Sequence, residues 1–154
     1  MTLKEEILAA FHDSWKSFKA AIEPLTSQDM EQPGACGHWS AKDVVGHVAS
    51  WETELTRRLL TGEDAGPGDP DFDVETFNDL ERRRKSRFTV TEQIMELDLS
   101  HRALRRALAD APESYFAPGS KSRRQIDANT TLHYLEHASQ IRRWAATQSD
   151  AKPK

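Results

Sequence analysis

Trp39-Ser40-Ala41-Lys42-Asp43-Val44-Val45-Gly46-His47-Val48-Ala49-Ser50-Trp51-Glu52 is the stretch that decides the fold class of this chain. Ser40 and Asp43 have the spacing of a capping box, in which each side chain accepts from a backbone N–H that the first helical turn leaves free. Behind this cap, apolar residues fall at Val44, Val48, Trp51, Leu55 and Leu59. Those steps of three and four line one face of a helix. Gly62 is a natural stop, since glycine takes the left-handed conformation that ends helices. The segment is an amphipathic helix, and its apolar face needs partners.

The flanking sequence supplies them. Thr2 and Glu5 form a second capping box, and Leu3, Ile7, Phe11, Trp15, Phe18 and Ile22 make one stripe that Pro24 ends. A helix is therefore expected from Thr2 to Ile22. Glu23 to Trp39 reads as a long connection with one short turn at Ser27 to Met30, punctuated by Pro33, Gly34 and Gly37. Glu63 to Phe72, rich in Gly and Pro, reads as a loop, and Asp73 to Arg87 as a weaker, mostly charged helix. Thr89 and Glu92 cap a third long helix over Val90 to Ala111, with Val90, Ile94, Leu97, His101, Leu104 and Leu108 inward. Glu113 to Ile126 reads as a polar loop. A fourth long helix is expected from Asp127, as N-cap, to about Thr147, burying Leu132, Leu135, Ile141 and Trp144. No run alternates with the period of a strand. The expectation is an all-α four-helix bundle, one domain over residues 1–148 with a polar tail over 149–154.

Composition narrows the function. The chain has 154 residues, 37% hydrophobic and 30% charged, with a formal net charge of −4. That is enough for one core, and its acidity argues against a nucleic-acid partner. The run Glu81-Arg82-Arg83-Arg84-Lys85 reads as a solvated helix face. Cys36 is the single cysteine, so no internal disulfide forms, which suits a reducing cytoplasm. The N-terminus lacks the pattern of a signal peptide, and no apolar run approaches a membrane span.

Six histidines are present: His12, His38, His47, His101, His133 and His137. His133 and His137 stand i and i+4, so their imidazoles leave one helix face a turn apart and can share an ion. His47 lies along the buried stripe of its helix, between Val44 and Trp51. If those two helices are neighbours, three imidazoles converge. Three nitrogen ligands with an open position suit Zn²⁺ or Ni²⁺. The glutamate that follows the first histidine in zinc proteases is replaced by Tyr134. The lack of cysteine and carboxylate ligands argues against zinc storage or an iron–sulfur cluster.

The quoted stretch resembles the second helix of the DinB-like (DinB/YfiT) superfamily. Asn129-Thr130-Thr131-Leu132-His133-Tyr134-Leu135-Glu136-His137-Ala138-Ser139-Gln140-Ile141-Arg142 resembles that family's fourth helix. The resemblance implies a bundle with a long crossover and a metal site of His47, His133 and His137. It also implies a metal-dependent transferase, isomerase or hydrolase acting on a small electrophile, with a low-molecular-weight thiol as a further cofactor and a homodimer as the assembly. Relatives include mycothiol-dependent maleylpyruvate isomerase and bacillithiol or other thiol transferases. The alternative is a non-catalytic bundle that binds a small molecule or metal.

Other residues have quieter readings. His101 is expected to be a hydrogen-bonded core histidine, with a role beside the metal as the alternative. Glu52 and Glu136 read as surface glutamates, with orientation of an imidazole or general-base work as their functional alternative. Asp43 is a helix cap. Cys36 reads as a loop cysteine rather than a nucleophile. Trp15, Trp39, Trp51 and Trp144 read as packing, with Trp39 fixing the chain ahead of the Ser40 cap. Arg123, Arg124, Arg142 and Arg143 read as surface arginines rather than an anion site.

Overall fold

The structure is a computed structural model that describes residues 1–62 and 72–151. Seven helices and a small two-stranded ribbon appear among these residues. They are α1 (Leu3–Ile22), α2 (Ser27–Glu31), β1 (Pro33–Cys36), β2 (Trp39–Ser40), α3 (Ala41–Thr61), α4 (Val74–Lys85), α5 (Val90–Asp110), α6 (Lys121–Asn129) and α7 (Thr131–Ala151), with a 3₁₀ turn at Glu113–Phe116. The four long helices α1, α3, α5 and α7 form the expected bundle. Capping boxes at Thr2/Glu5, Ser40/Asp43 and Thr89/Glu92 start three of them, and Gly62 ends α3 at φ 68°. The loop expected over Glu63 to Phe72 lies outside the described residues except for Phe72.

Side-chain contacts set the helix directions. Lys4 Nζ donates to the carbonyls of Ala109 and Ala111 at 2.7 and 2.6 Å, while Lys19 pairs with Asp98 at 2.9 Å, so α1 and α5 are antiparallel. Gln93 packs on Gly46 and His101 bonds Glu52, so α3 and α5 run parallel. Ser14 meets Thr131, and Arg142 reaches Ser17, so α1 and α7 also run parallel. Joining parallel neighbours requires a return along the bundle. Helix α4 makes it, with Asn78 beside Trp51 and Lys85 beside Gly46. This is the long crossover. The core between the four helices holds Phe11, Phe18, Leu97, Leu104, Leu108, Tyr134 and Ile141, all fully buried.

Four expectations are corrected. The connection before α3 contains an antiparallel ribbon, with Pro33 paired to Ser40 and Cys36 to Trp39. It is too short for a period-two signal, and it turns on Gly37 at φ 58°. Asp127 is not an N-cap: it lies inside α6, paired to Arg123 at 2.8 Å, because Ser120 caps that helix earlier by accepting from Arg123 N–H. The polar loop before it is thus mostly helical. Thr130, at φ −124° and ψ −100°, breaks the chain, and α7 starts at Thr131. Leu132 and Leu135 are consequently 61% and 45% exposed, and the buried face of α7 carries Tyr134, His137, Ala138, Ile141 and Trp144. Helix α7 also continues past Gln148 to Ala151.

Candidate metal centre

Helices α3 and α7 bring three imidazoles together. His47 projects from α3 two turns after its cap, and His133 and His137 project one turn apart from the start of α7. His47 Nε2 and His133 Nε2 are 2.9 Å apart. One nitrogen from each of the three residues falls within 4.8 Å of the other two. Their ring centroids are 4.6 to 5.1 Å apart. Trp39 and Trp51 stand edge-on to His47, with centroids 5.2 and 6.3 Å away. The indoles give the cluster an apolar wall.

The surroundings keep these rings neutral. Burial pushes His47 down to about 3, helped by His137 and Lys85. Burial lowers His133 well below the ordinary histidine value, with His137 and His47 adding to it. Burial lowers His137 too, against a hydrogen bond with Gln140 that favours its protonation. A neutral imidazole presents a lone pair, the form that binds a metal.

The donor set fits a divalent ion. His137 Nδ1 lies 2.7 Å from Gln140 Oε1, so that nitrogen carries the hydrogen and Nε2 is the bare one. Between the facing Nε2 atoms of His47 and His133, only one can hold the intervening hydrogen. His133 Nδ1 is buried without a hydrogen-bond partner. Two facing nitrogens that share one hydrogen, and a buried nitrogen with no partner, are costly in a folded protein unless a ligand offsets them.

One turn further along α3 lies a second polar cluster, which α7 reaches through Tyr134. Glu52, fully buried, accepts from Ser100 Oγ at 2.8 Å and from the Tyr134 hydroxyl at 2.5 Å, and its other bond is to His101 Nδ1 at 2.7 Å. Trp15 stacks on His101 with centroids 3.5 Å apart. His101 is therefore the hydrogen-bonded core histidine expected. Glu52 is not on the surface: it falls one turn after Val48 on the buried stripe, and its partners come from α5 and α7. Burial and the neighbouring Glu52 raise the Tyr134 hydroxyl well above its ordinary value, so it stays a donor.

The remaining candidates lie apart from the trio. Glu136 is exposed on α7. Asp43 accepts from Ser40 N–H as a cap. Cys36 is half-buried on β1, and burial raises its thiol, which does not favour a thiolate. Arg123, Arg124 and Arg142 are engaged with Asp127, Gly119 and Ser17 respectively. Trp51 and Trp144 are buried, while Trp15 and Trp39 are partly so. Two residues at the trio were not anticipated. Gln140 carried a local signal, standing i+3 to His137 on one helix. Asn78 carried none, since it arrives on the crossover helix.

Residues 11–119 match the family described as Mycothiol maleylpyruvate isomerase N-terminal domain, well over half of the chain. The chain belongs to that family. The match includes His47 and stops short of His133 and His137, and the family lies within the DinB-like, metal-binding superfamily that the two sequence blocks resemble. No curated protein matches the sequence significantly. Among solved structures, the chain is similar to the Sibling Lethal Factor Precursor DfsB, with TM-score 0.78 and 15% identity over 96% of this chain and 98% of that one. It is similar to an uncharacterised protein from Escherichia coli UTI89, with TM-score 0.75 and 15% identity over 95% and 94%. It is also similar to the colibactin self-resistance protein ClbS, solved in complex with a dsDNA, with TM-score 0.77 and 17% identity over 93% and 95%. At such identities the likeness is one of fold. It still overturns the exclusion of nucleic acid drawn above from net charge, because a protein of this fold is seen bound to DNA. Among the described residues, no helix is long and apolar enough to cross a membrane.

Proposed function

We propose that His47, His133 and His137 hold a divalent ion, Zn²⁺ or Ni²⁺, and that the chain uses it in thiol- or water-dependent chemistry on a small electrophile. The observation that carries this reading is the convergence of three neutral imidazole nitrogens from two helices. The donor set of three nitrogens, with no thiolate or carboxylate, leaves an ion with open positions. When bound there, such an ion would supply a lowered pKa to a coordinated water or thiol near neutral pH. The name of the matching family points to a thiol as the co-reactant.

The chain's own residues have separate tasks in this reading. The three histidines would hold the ion without neutralising it, since all are uncharged, and so leave its positive charge for an anionic partner. Trp39 and Trp51 limit water around His47. The test uses Co²⁺-loaded protein titrated with cysteine, glutathione and mycothiol. A thiolate-to-cobalt absorption band, lost in His137→Ala, is the expected result. If no thiol produces a band, thiol activation is removed and water remains as the nucleophile to examine.

A further inference from the structure

We infer that Asn78 and Gln140 are positioning residues of the metal centre, each accepting a hydrogen bond from the imidazole nitrogen that faces away from the ion. This rests on the metal reading above and assigns what sets the ligands' tautomers.

The geometry differs for each ring. His47 turns Nε2 toward His133 at 2.9 Å, which leaves its Nδ1 for the opposite side. There His47 and Asn78 line one small cleft. Asn78 is itself oriented. Trp51 Nε1, which can only donate, lies 2.8 Å from Asn78 Oδ1. The amide therefore turns its oxygen into that cleft, where it is placed to accept from His47 Nδ1. In His137 the same arrangement is local, with Gln140 Oε1 2.7 Å from Nδ1 one turn along α7.

Helix α4 is anchored firmly enough to hold Asn78 there. The Lys85 ammonium, at the far end of α4, donates to Gly46 carbonyl at 2.8 Å and Ser50 Oγ at 2.6 Å, and pairs with Glu96 at 2.5 Å. Gly46 permits this approach. A Cβ at that position would meet Gln93 Oε1 at 2.8 Å and Lys85 Cδ at 3.2 Å. The crossover helix thus supports the ligand that immediately follows Gly46.

Among the described residues, no carboxylate hydrogen-bonds to any ring of the trio. Metal-bound histidines commonly donate to a carboxylate or carbonyl, and that partner raises ligand basicity and affinity. Side-chain amides are weaker acceptors than carboxylates. They fix the tautomer yet leave the imidazoles less electron-rich, so a bound ion remains a stronger Lewis acid. His133 has no such support, since its Nδ1 is buried without a partner.

Zn²⁺ affinity, measured by competition with a chromophoric chelator, tests this in wild type, Gln140→Ala, Gln140→Glu and Asn78→Ala, with unfolding of each measured in EDTA. Both alanine variants are expected to bind about 10- to 100-fold more weakly, and Gln140→Glu to bind at least as tightly as wild type. The metal-free stability of Gln140→Ala should match wild type, which separates positioning from folding. Wild-type affinity in both alanine variants would overturn the inference while leaving the three-histidine site standing. A wild-type chain that fails to bind Zn²⁺ would overturn both.

Discussion

Helices α3 and α7 meet at two polar clusters, one turn apart on α3, and the two are built on opposite terms. Around Glu52, every buried polar group has a partner: Ser100, His101 and Tyr134 converge on one carboxylate. Around His47, nitrogens face one another across 2.9 Å, and His133 Nδ1 has nothing to bond. Both contain histidine, and both are largely enclosed. The difference is satisfaction. A closed network specifies how helices pack, whereas an open set of convergent lone pairs waits on a ligand. Histidine type or burial alone does not tell these uses apart.

The largest effect should come from breaking the closed cluster. Glu52→Ala leaves three buried groups without their acceptor and should cost about 3 to 5 kcal/mol, equally with and without metal, as read by denaturant unfolding. A loss below about 1 kcal/mol would show that the network does not organise the core. The open cluster should behave in the reverse manner. At Zn²⁺ a hundredfold above its Kd, wild type should gain about 2.7 kcal/mol of stability by mass action, and His133→Ala should gain none.

Acid should single out the open cluster too. Its rings are neutral in the folded chain, with His47 down at about 3, while an unfolded histidine titrates near 6.5. Below 6.5 the unfolded chain takes up protons that the folded chain refuses, so unfolding becomes easier. The contribution is neutral above 6.5 and increasingly unfavourable as pH falls toward about 3 for His47. Unfolding midpoints of metal-free protein across that range should fall with pH, and replacing the trio with glutamine should flatten the curve. An unchanged curve would place the titrating groups elsewhere.

The smallest effect sharpens the same contrast on α7. Tyr134→Phe removes a donor to Glu52 and should cost about 1 to 3 kcal/mol. Leu135→Ala, on the exposed neighbour, should stay within about 0.5 kcal/mol. Equal losses at the two positions would contradict the observed orientation of α7.

What could be read from the sequence was what local chemistry decides. Thr2, Ser40 and Thr89 announced their helices because a capping box is complete within four residues. Gly62 marked the end of α3 for the same reason. His133 and His137 were legible as a pair from their spacing, His47 as a third member from its place on the buried stripe, and the resemblance named the same three residues. The unread parts depended on distant partners. Glu52 looks like a surface residue until Ser100, His101 and Tyr134 surround it. Asn78 means nothing until the crossover lays α4 on α3. The register of α7 failed at one residue, Thr130, whose break turned Leu132 and Leu135 outward and Tyr134 inward. Two attractive leucines outweighed a tyrosine whose hydroxyl finds its partner only in the folded core.

Equilibrium dialysis against Zn²⁺, comparing wild type with the His133→Ala/His137→Ala variant, tests the ligand assignment most directly. About one ion per wild-type chain and none in the variant is the expected result. Equal occupancy in the two proteins, or none in either at saturating Zn²⁺, would contradict it.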